Sequence, residues 1–314
     1  MAMCPETERA IPNCKQHKNS LRLGYVAVSI ATFLYGGNVI AGRLLAPNVP
    51  PAALSTLRGI LGLIILLPFA RRATLRPRLN DIPVFMLIGL LSVTIAYVTF
   101  AWSMQNNRAI SAAVIISTSP AVTLLLLALG WHEKPNIFQI AGVVIAFAGL
   151  TLVSCEGSLK RVMALQFHKS DLILLINVIA VSLANILVQK ETHRYPAITT
   201  CTWSLFFGTI FLLPPGLWEI IRYGWHLTWW EWLLLFYMGG IIAGVALLLN
   251  FEAVNRLGSG TVAMFNNLTP LVTVILAALL LNEKLLWYHT LGMILALGGV
   301  FLSLRRRLRE ENSL

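Results

Sequence analysis

Apolar and polar positions along this chain fall into long greasy runs separated by short polar breaks. Runs near 23–45, 52–70, 82–103, 109–131 and 136–154 are followed by a second series near 171–190, 198–217, 230–250, 258–281 and 286–304. Each is close to the ~20 residues that carry an α-helix across the hydrocarbon layer. None alternates residue by residue as a barrel strand would, and backbone polar groups cannot stay unpaired in lipid, so helices are the expected spanning element. The pattern predicts an all-α integral membrane protein with ten transmembrane helices, five in each half.

The pattern also repeats. Residues 113–152 slide onto 263–302 by 150 positions without a gap. Pro120 falls on Pro270, Thr123 on Thr273, Glu133 on Glu283, Lys134 on Lys284, Gly142 on Gly292 and Gly149 on Gly299. A long internal period marks a fold built from two copies of one unit. The first helices extend it with some drift, Asn38 and Arg43 aligning with Asn185 and Lys190 at an offset of 147. An odd number of spans per half obliges the second copy to enter the membrane from the opposite face. Two inverted five-helix repeats around a central cavity are therefore expected, the architecture of secondary transporters. The resulting division is a cytoplasmic tail at 1–20, a first repeat at 21–154, a connecting loop at 155–170, a second repeat at 171–304 and a basic cytoplasmic tail at 305–314.

Composition agrees with membrane residence: 57% of residues are hydrophobic and 12% charged, far from the balance of a soluble domain. The net charge of +11 sits in short clusters between apolar runs, where orientation in the membrane explains it and nucleic-acid binding does not. With the N-terminus inside, 16 Lys and Arg fall on the cytoplasmic side against seven opposite, so both termini are expected in the cytoplasm, although the loop at 155–170 runs against the trend. Residues 1–20 lack the apolar core of a removable signal peptide, and a bacterial inner membrane is the expected location. The four cysteines have no metal-ligand or disulfide-framework spacing, and the histidines fall in tails, loops or span ends. No metal and no cofactor are expected; the partners are the lipid bilayer and a small-molecule substrate, with the protein a monomer or a homodimer.

The candidate chemistry is sparse. Arg58 is the one charge well inside an expected span, and an intramembrane arginine is costly enough to suggest function. It could hold a carboxylate through two parallel hydrogen bonds, or act as a structural clamp. Asn38, Asn185, Asn266 and Asn267 are amides in otherwise apolar helices, suited to cargo contact or helix packing. Tyr97, Trp102 and Trp203 could stack on a substrate, Trp203 because it aligns loosely with Arg58, although aromatics near helix ends more often anchor the interface. Pro120 and Pro270 each remove a hydrogen bond from the middle of equivalent helices and could serve as paired hinges or static bends. Glu133–Lys134 and Glu283–Lys284 fit helix-end caps or ion pairs, with a gate as the other role. Every Asp and Glu falls in a tail, loop or span end, so no intramembrane carboxylate relay is visible.

These stretches also resemble the EamA-type branch of the drug/metabolite transporter superfamily. The likeness runs from about Leu21 to Leu304 through LYGGNVIAGRLL, VPPAALSTLRG, STSPAVTLLL, FNNLTPLVTVILAALLLNEKL and GMILALGGVFLSL. It implies a ten-helix inverted-repeat carrier that moves small organic solutes, often amino acids or related metabolites outward, through a central cavity. The reading is a secondary, non-ATP transporter of amino acids or related carboxylate and zwitterionic solutes. The alternatives are a sugar-phosphate or nucleotide-sugar exchanger of the same superfamily or, from another class, a membrane-embedded enzyme. No phosphate-binding loop or nucleophile–base pair is present to support an ATP-driven pump or an enzyme.

Overall fold

The computed structural model describes residues 11–70, 77–106, 109–130, 137–158, 168–192, 194–223, 226–266 and 268–311. Among these the chain is helical, with no strand. The helices are α1 (Ile11–Leu45), α2 (Pro51–Ala70), α3 (Leu79–Asn106), α4 (Ala109–Ile116), α5 (Ser119–Gly130), α6 (Ile137–Ser154), α7 (Lys169–Thr192), α8 (Ala197–Tyr223), α9 (Trp229–Gly258), α10 (residues 259–266), α11 (Thr269–Leu280) and α12 (Trp287–Glu311). Among the described residues six segments are long and apolar enough to cross a membrane: Ser20–Leu45, Pro51–Phe69, and α3, α7, α8 and α9. Many of their large apolar side chains face outward, including Phe33, Ile64, Ile176 and Ile210, as lipid contact requires.

Several boundaries differ from those the sequence predicts. α1 begins at Ile11, so part of the expected polar tail is already helical. α9 continues past residue 250 to Gly258, which puts Glu252 and Arg256 on its final turns as an i,i+4 ion pair. The chain then turns at Gly258, whose φ of 80° and ψ of 157° are open to a residue without Cβ. The spans that carry Pro120 and Pro270 are not kinked helices but broken ones. α4 ends at Ile116 and α5 starts at Ser119, while residue 268 separates α10 from α11. Pro120 and Pro270 therefore occupy the first turn of a new helix, where a missing N–H costs nothing, and no hydrogen bond is removed from a helix interior. π-helical turns interrupt α3 at Leu90–Ile95 and α9 at Tyr237–Ala246, corresponding places in the two halves; such turns often accompany functional sites.

Packing runs across the halves. α1 lies against α9 and α11, α7 against α3 and α5, α2 against α8, and α6 against α12. At one end of the bundle Arg256 donates to Ser20 Oγ and the Tyr195 hydroxyl donates to Asp81. The opposite end brings together other polar groups. Glu219 accepts from the backbone N–H of both Ala52 and Ala53 at 2.8 Å, Glu231 accepts from Asn48, and Glu283 accepts from Ala109 N–H at 3.0 Å. Glu219 and Glu283 thereby cap the first turns of α2 and α4, satisfying donors that a helix start leaves free. The buried apolar residues form two large clusters, one toward each end. Leu45, Leu54, Met104 and Leu235 belong to the second end, and Leu66, Ile88, Leu205 and Phe251 to the first. Some of the buried polar side chains, Arg58, Asn177 and Asn250 among them, share one cavity.

Candidate functional site

Polar residues from several helices meet at mid-depth. On α1, Thr32, Tyr35 and Asn38 follow at three-residue spacing, one face of the helix. On α7, Asn177, Val181 and Asn185 do so at four-residue spacing, and the π-helical turns turn Ser92 on α3 and Ile242 on α9 inward. With Arg58 from α2, Asn250 from α9 and Asn266 from α10, most of these line a cavity of about 200 Å³; Thr32 stands beside it. Ser119 and Thr269, which open α5 and α11 just past the helix breaks, also reach its wall.

Arg58 is the charged group of this wall, and no Asp or Glu lines it among the described residues. Its side chain is 2% exposed. The guanidinium carbon sits 4.3 Å from the centre of the Tyr97 ring and 5.7 Å from that of Phe100, and Nη2 donates to Asn38 Oδ1 at 3.3 Å. Nε and Nη1 have no partner among the described residues. A desolvated cation–π contact contributes about 2 kcal/mol and a hydrogen bond from a charged donor about 1.5–3 kcal/mol. Burying an ion costs several kcal/mol, and each unpartnered donor adds about 1–3 kcal/mol. The protein's own contacts leave a deficit that a bound anion would offset.

Toward the other side of the cavity the groups are neutral. Thr32 Oγ1 donates to Asn266 Oδ1 at 3.3 Å, and Asn266 Nδ2 donates to Asn250 Oδ1 at 3.4 Å, both long bonds. Asn177 is held more firmly, donating to the Ala96 carbonyl at 2.6 Å beside the π-helical turn. Asn185 lines the cavity with no hydrogen bond to the described residues. α11 is fastened to α1 by Thr269 and Thr273, whose hydroxyls donate to the carbonyls of Thr32 and Gly36.

Set beside known proteins, residues 22–155 and again residues 168–305 match the EamA-like transporter family. The chain belongs to that family. YetK of Bacillus subtilis, named an uncharacterized transporter, is 22% identical over 292 residues, covering 91% of this chain and 88% of its own. A Streptantibioticus cattleyicolor protein named a probable terminal-alkyne amino-acid exporter is 25% identical over 139 residues, 44% of this chain and 45% of its own. A solved crystal structure superposes with a TM-score of 0.63 at 17% identity, over 93% of this chain and 99% of that one, a likeness of fold. This EamA-family chain is thus an integral membrane transporter whose apolar helices surround a small cavity with polar groups on its wall.

The transporter brings Arg58, Asn38, Tyr97 and Asn266 together at that cavity and adds Asn185. It does not bring Trp203 there. Trp203 stacks on Phe207 and meets Phe206 edge-on, with ring centres 5.7 Å apart in both pairs, and is absent from the described wall. The repeat drifts by a few residues between the halves, and a slip of one residue turns a helical side chain by about 100°, enough to move it off the face of Arg58. Trp102 is also away from the wall. Asn267, Glu133 and Lys134 lie outside the described residues. Glu283 caps α4, and Lys284 is exposed. Trp229, Trp230 and Trp232 are exposed at one helix end, as interface anchors should be. Sequence reasoning missed Tyr35, Asn177 and Asn250. For the two asparagines the signal was available, since each is an amide inside an apolar run; Tyr35 is marked only by its spacing from Asn38.

Proposed function

We propose that this transporter is a secondary carrier that moves small carboxylate-bearing metabolites outward across a bacterial inner membrane by alternating access. The observation that carries the reading is Arg58, a buried guanidinium on the cavity wall with two donors that no group among the described residues satisfies. Carboxylates match its planar fork. A phosphate-bearing nucleotide sugar would call for more cations than this wall supplies among the described residues. It would also want more room, because about 200 Å³ lies below the roughly 300–1,000 Å³ common for drug-sized ligands.

Alternating access rests on ten spans in two inverted repeats, with both termini cytoplasmic. Three observations support that arrangement. The same family matches each half of the chain. The contacts keep their pattern when the halves are exchanged, α1 on α9 and α11 answering to α7 on α3 and α5. The start of α1 lies with the end of α9, through Ser20 and Arg256, whereas the start of α7 lies with the end of α3, through Ser170 and Ser103, at the opposite end of the bundle. In this scheme the breaks before Pro120 and Pro270 are the joints about which the halves rock, and the Glu283 cap on α4 is a closing contact at one face.

The test is counterflow in proteoliposomes with amino acids, organic acids, nucleosides and organic cations, for wild type and Arg58→Ala at matched insertion. Carboxylates should exchange in the wild type and not in the variant. Preferential exchange of cations or nucleosides, or unimpaired carboxylate flux in Arg58→Ala, would remove the proposal.

A further inference from the structure

The cavity has two unlike poles, and their separation can be read along α1. Asn38 is bonded to Arg58 and marks a cationic pole; Thr32, six residues earlier, is bonded to Asn266 and marks a neutral amide pole. At 1.5 Å rise per residue the two anchor points lie about 9 Å apart along the helix axis. The cationic pole is on the side of the bundle end that holds Glu219 and Glu231, since Arg58 and Asn38 sit within two turns of that end of α2 and α1. The amide pole is nearer the other end. Asn250 stands two turns before the end of α9, Asn185 two turns before the end of α7, and Asn266 two turns from the start of α10.

The chemistry of the poles is asymmetric. One positive charge with two unpartnered donors faces amides that are neutral and loosely engaged, their mutual bonds at 3.3 and 3.4 Å being long enough to exchange for bonds to a ligand. Tyr35, between the poles on the same face of α1, and the apolar groups of Val39, Ile116 and Val181 leave a mixed waist. An ammonium group on a cargo would meet no carboxylate among the described wall residues. On an α-amino acid it would also be forced beside the guanidinium. A second carboxylate would fall among amides with no cation to pair it.

Resting on the carboxylate reading above, we propose that the preferred cargo is a monocarboxylate whose far end carries a neutral hydrogen-bonding group, an amide or hydroxyl. It binds with the carboxylate on Arg58 and that group among Asn185, Asn250 and Asn266. Zwitterions and dicarboxylates of the same length are poorer cargo.

A six-carbon series isolates the two ends: adipic acid monoamide, 6-aminohexanoate, adipate and hexanamide, each loaded into proteoliposomes and followed by mass spectrometry of the efflux above protein-free controls. The monoamide should leave at least tenfold faster than the other three. Asn266→Leu should remove that advantage over adipate and 6-aminohexanoate. Asn185→Leu, at a position whose amide makes no bond to the described residues, should do the same without disturbing the fold, and so keeps the test open if Asn266→Leu misfolds. Equal fluxes of monoamide and 6-aminohexanoate, or an unchanged ratio in folded variants, would overturn the two-pole assignment while leaving carboxylate transport standing. If no carboxylate moves above control, the two-pole assignment and the carboxylate function fall together.

Discussion

Replacing Arg58 by methionine separates a cargo-binding role from a structural one. Methionine keeps an unbranched stem in the space of the arginine side chain and deletes the guanidinium. On the debit side are the cation–π contact with Tyr97, about 2 kcal/mol, and the hydrogen bond to Asn38, about 1.5–3 kcal/mol. Against them stand the two unpartnered donors, Nε and Nη1, at about 1–3 kcal/mol each, and the several kcal/mol of desolvation carried by an unpaired buried charge. The second sum is the larger. Arg58→Met should therefore be at least as stable as wild type, with a gain within the roughly 1–4 kcal/mol seen when buried ionic groups give way to apolar ones. Carboxylate uptake should fall to background. Unfolding by increasing SDS in mixed micelles, followed by tryptophan fluorescence, reads the first quantity, and uptake at matched insertion reads the second. A loss of about 3–5 kcal/mol, the size expected when a needed buried partner is removed, would mean that Arg58 clamps the bundle, and the reasoning would be refuted.

Other substitutions probe the surroundings. Asn38→Asp would put a carboxylate where Arg58 Nη2 now reaches an amide oxygen at 3.3 Å, supplying an internal counter-ion; carboxylate uptake should fall at least tenfold while the SDS midpoint rises. Glu219→Ala and Glu283→Ala each uncap a helix start, and each should cost about 0.5–2 kcal/mol in the same unfolding assay. Gly89→Ala would bring a Cβ within 2.4 Å of the Ser204 carbonyl oxygen and 2.8 Å of the Gly208 nitrogen. Backbone cannot yield as a side-chain tip can, so a loss of about 1–3 kcal/mol from overpacking is expected, and an unchanged midpoint would contradict that close helix crossing.

The helical, membrane-embedded character of the protein was legible because lipid leaves a spanning chain few options, and a run such as 171–190 satisfies them visibly. Arg58 was legible for the same reason: a charge in an apolar run has to be explained. What stayed hidden was geometry that depends on other helices. Pro120 and Pro270 look identical in sequence whether they kink a helix or open a new one; the choice is set by the turns at Ser117–Thr118 and Leu268, which the cross-helix hydroxyl bonds of Ser119 and Thr269 accompany. The π-helical turns in α3 and α9 leave no composition signature, yet they decide which residues face inward. Trp203 shows the limit of a drifting repeat, since its ring packs on Phe206 and Phe207 and not on the cavity wall. The capping of α2 by Glu219 joins residues more than 160 positions apart, beyond the reach of any local pattern.

The claim on which the rest depends is that one cavity, held between oppositely oriented halves, opens to each side of the membrane in turn. Single cysteines at Ser92 and Thr123, two wall positions, in a background whose native cysteines are replaced, can be labelled with a membrane-impermeant thiol reagent in right-side-out and in inverted vesicles. The account predicts that both positions react from both sides, and that a transported carboxylate slows the reaction. Labelling of both positions from one side alone, whatever the cargo, would contradict it.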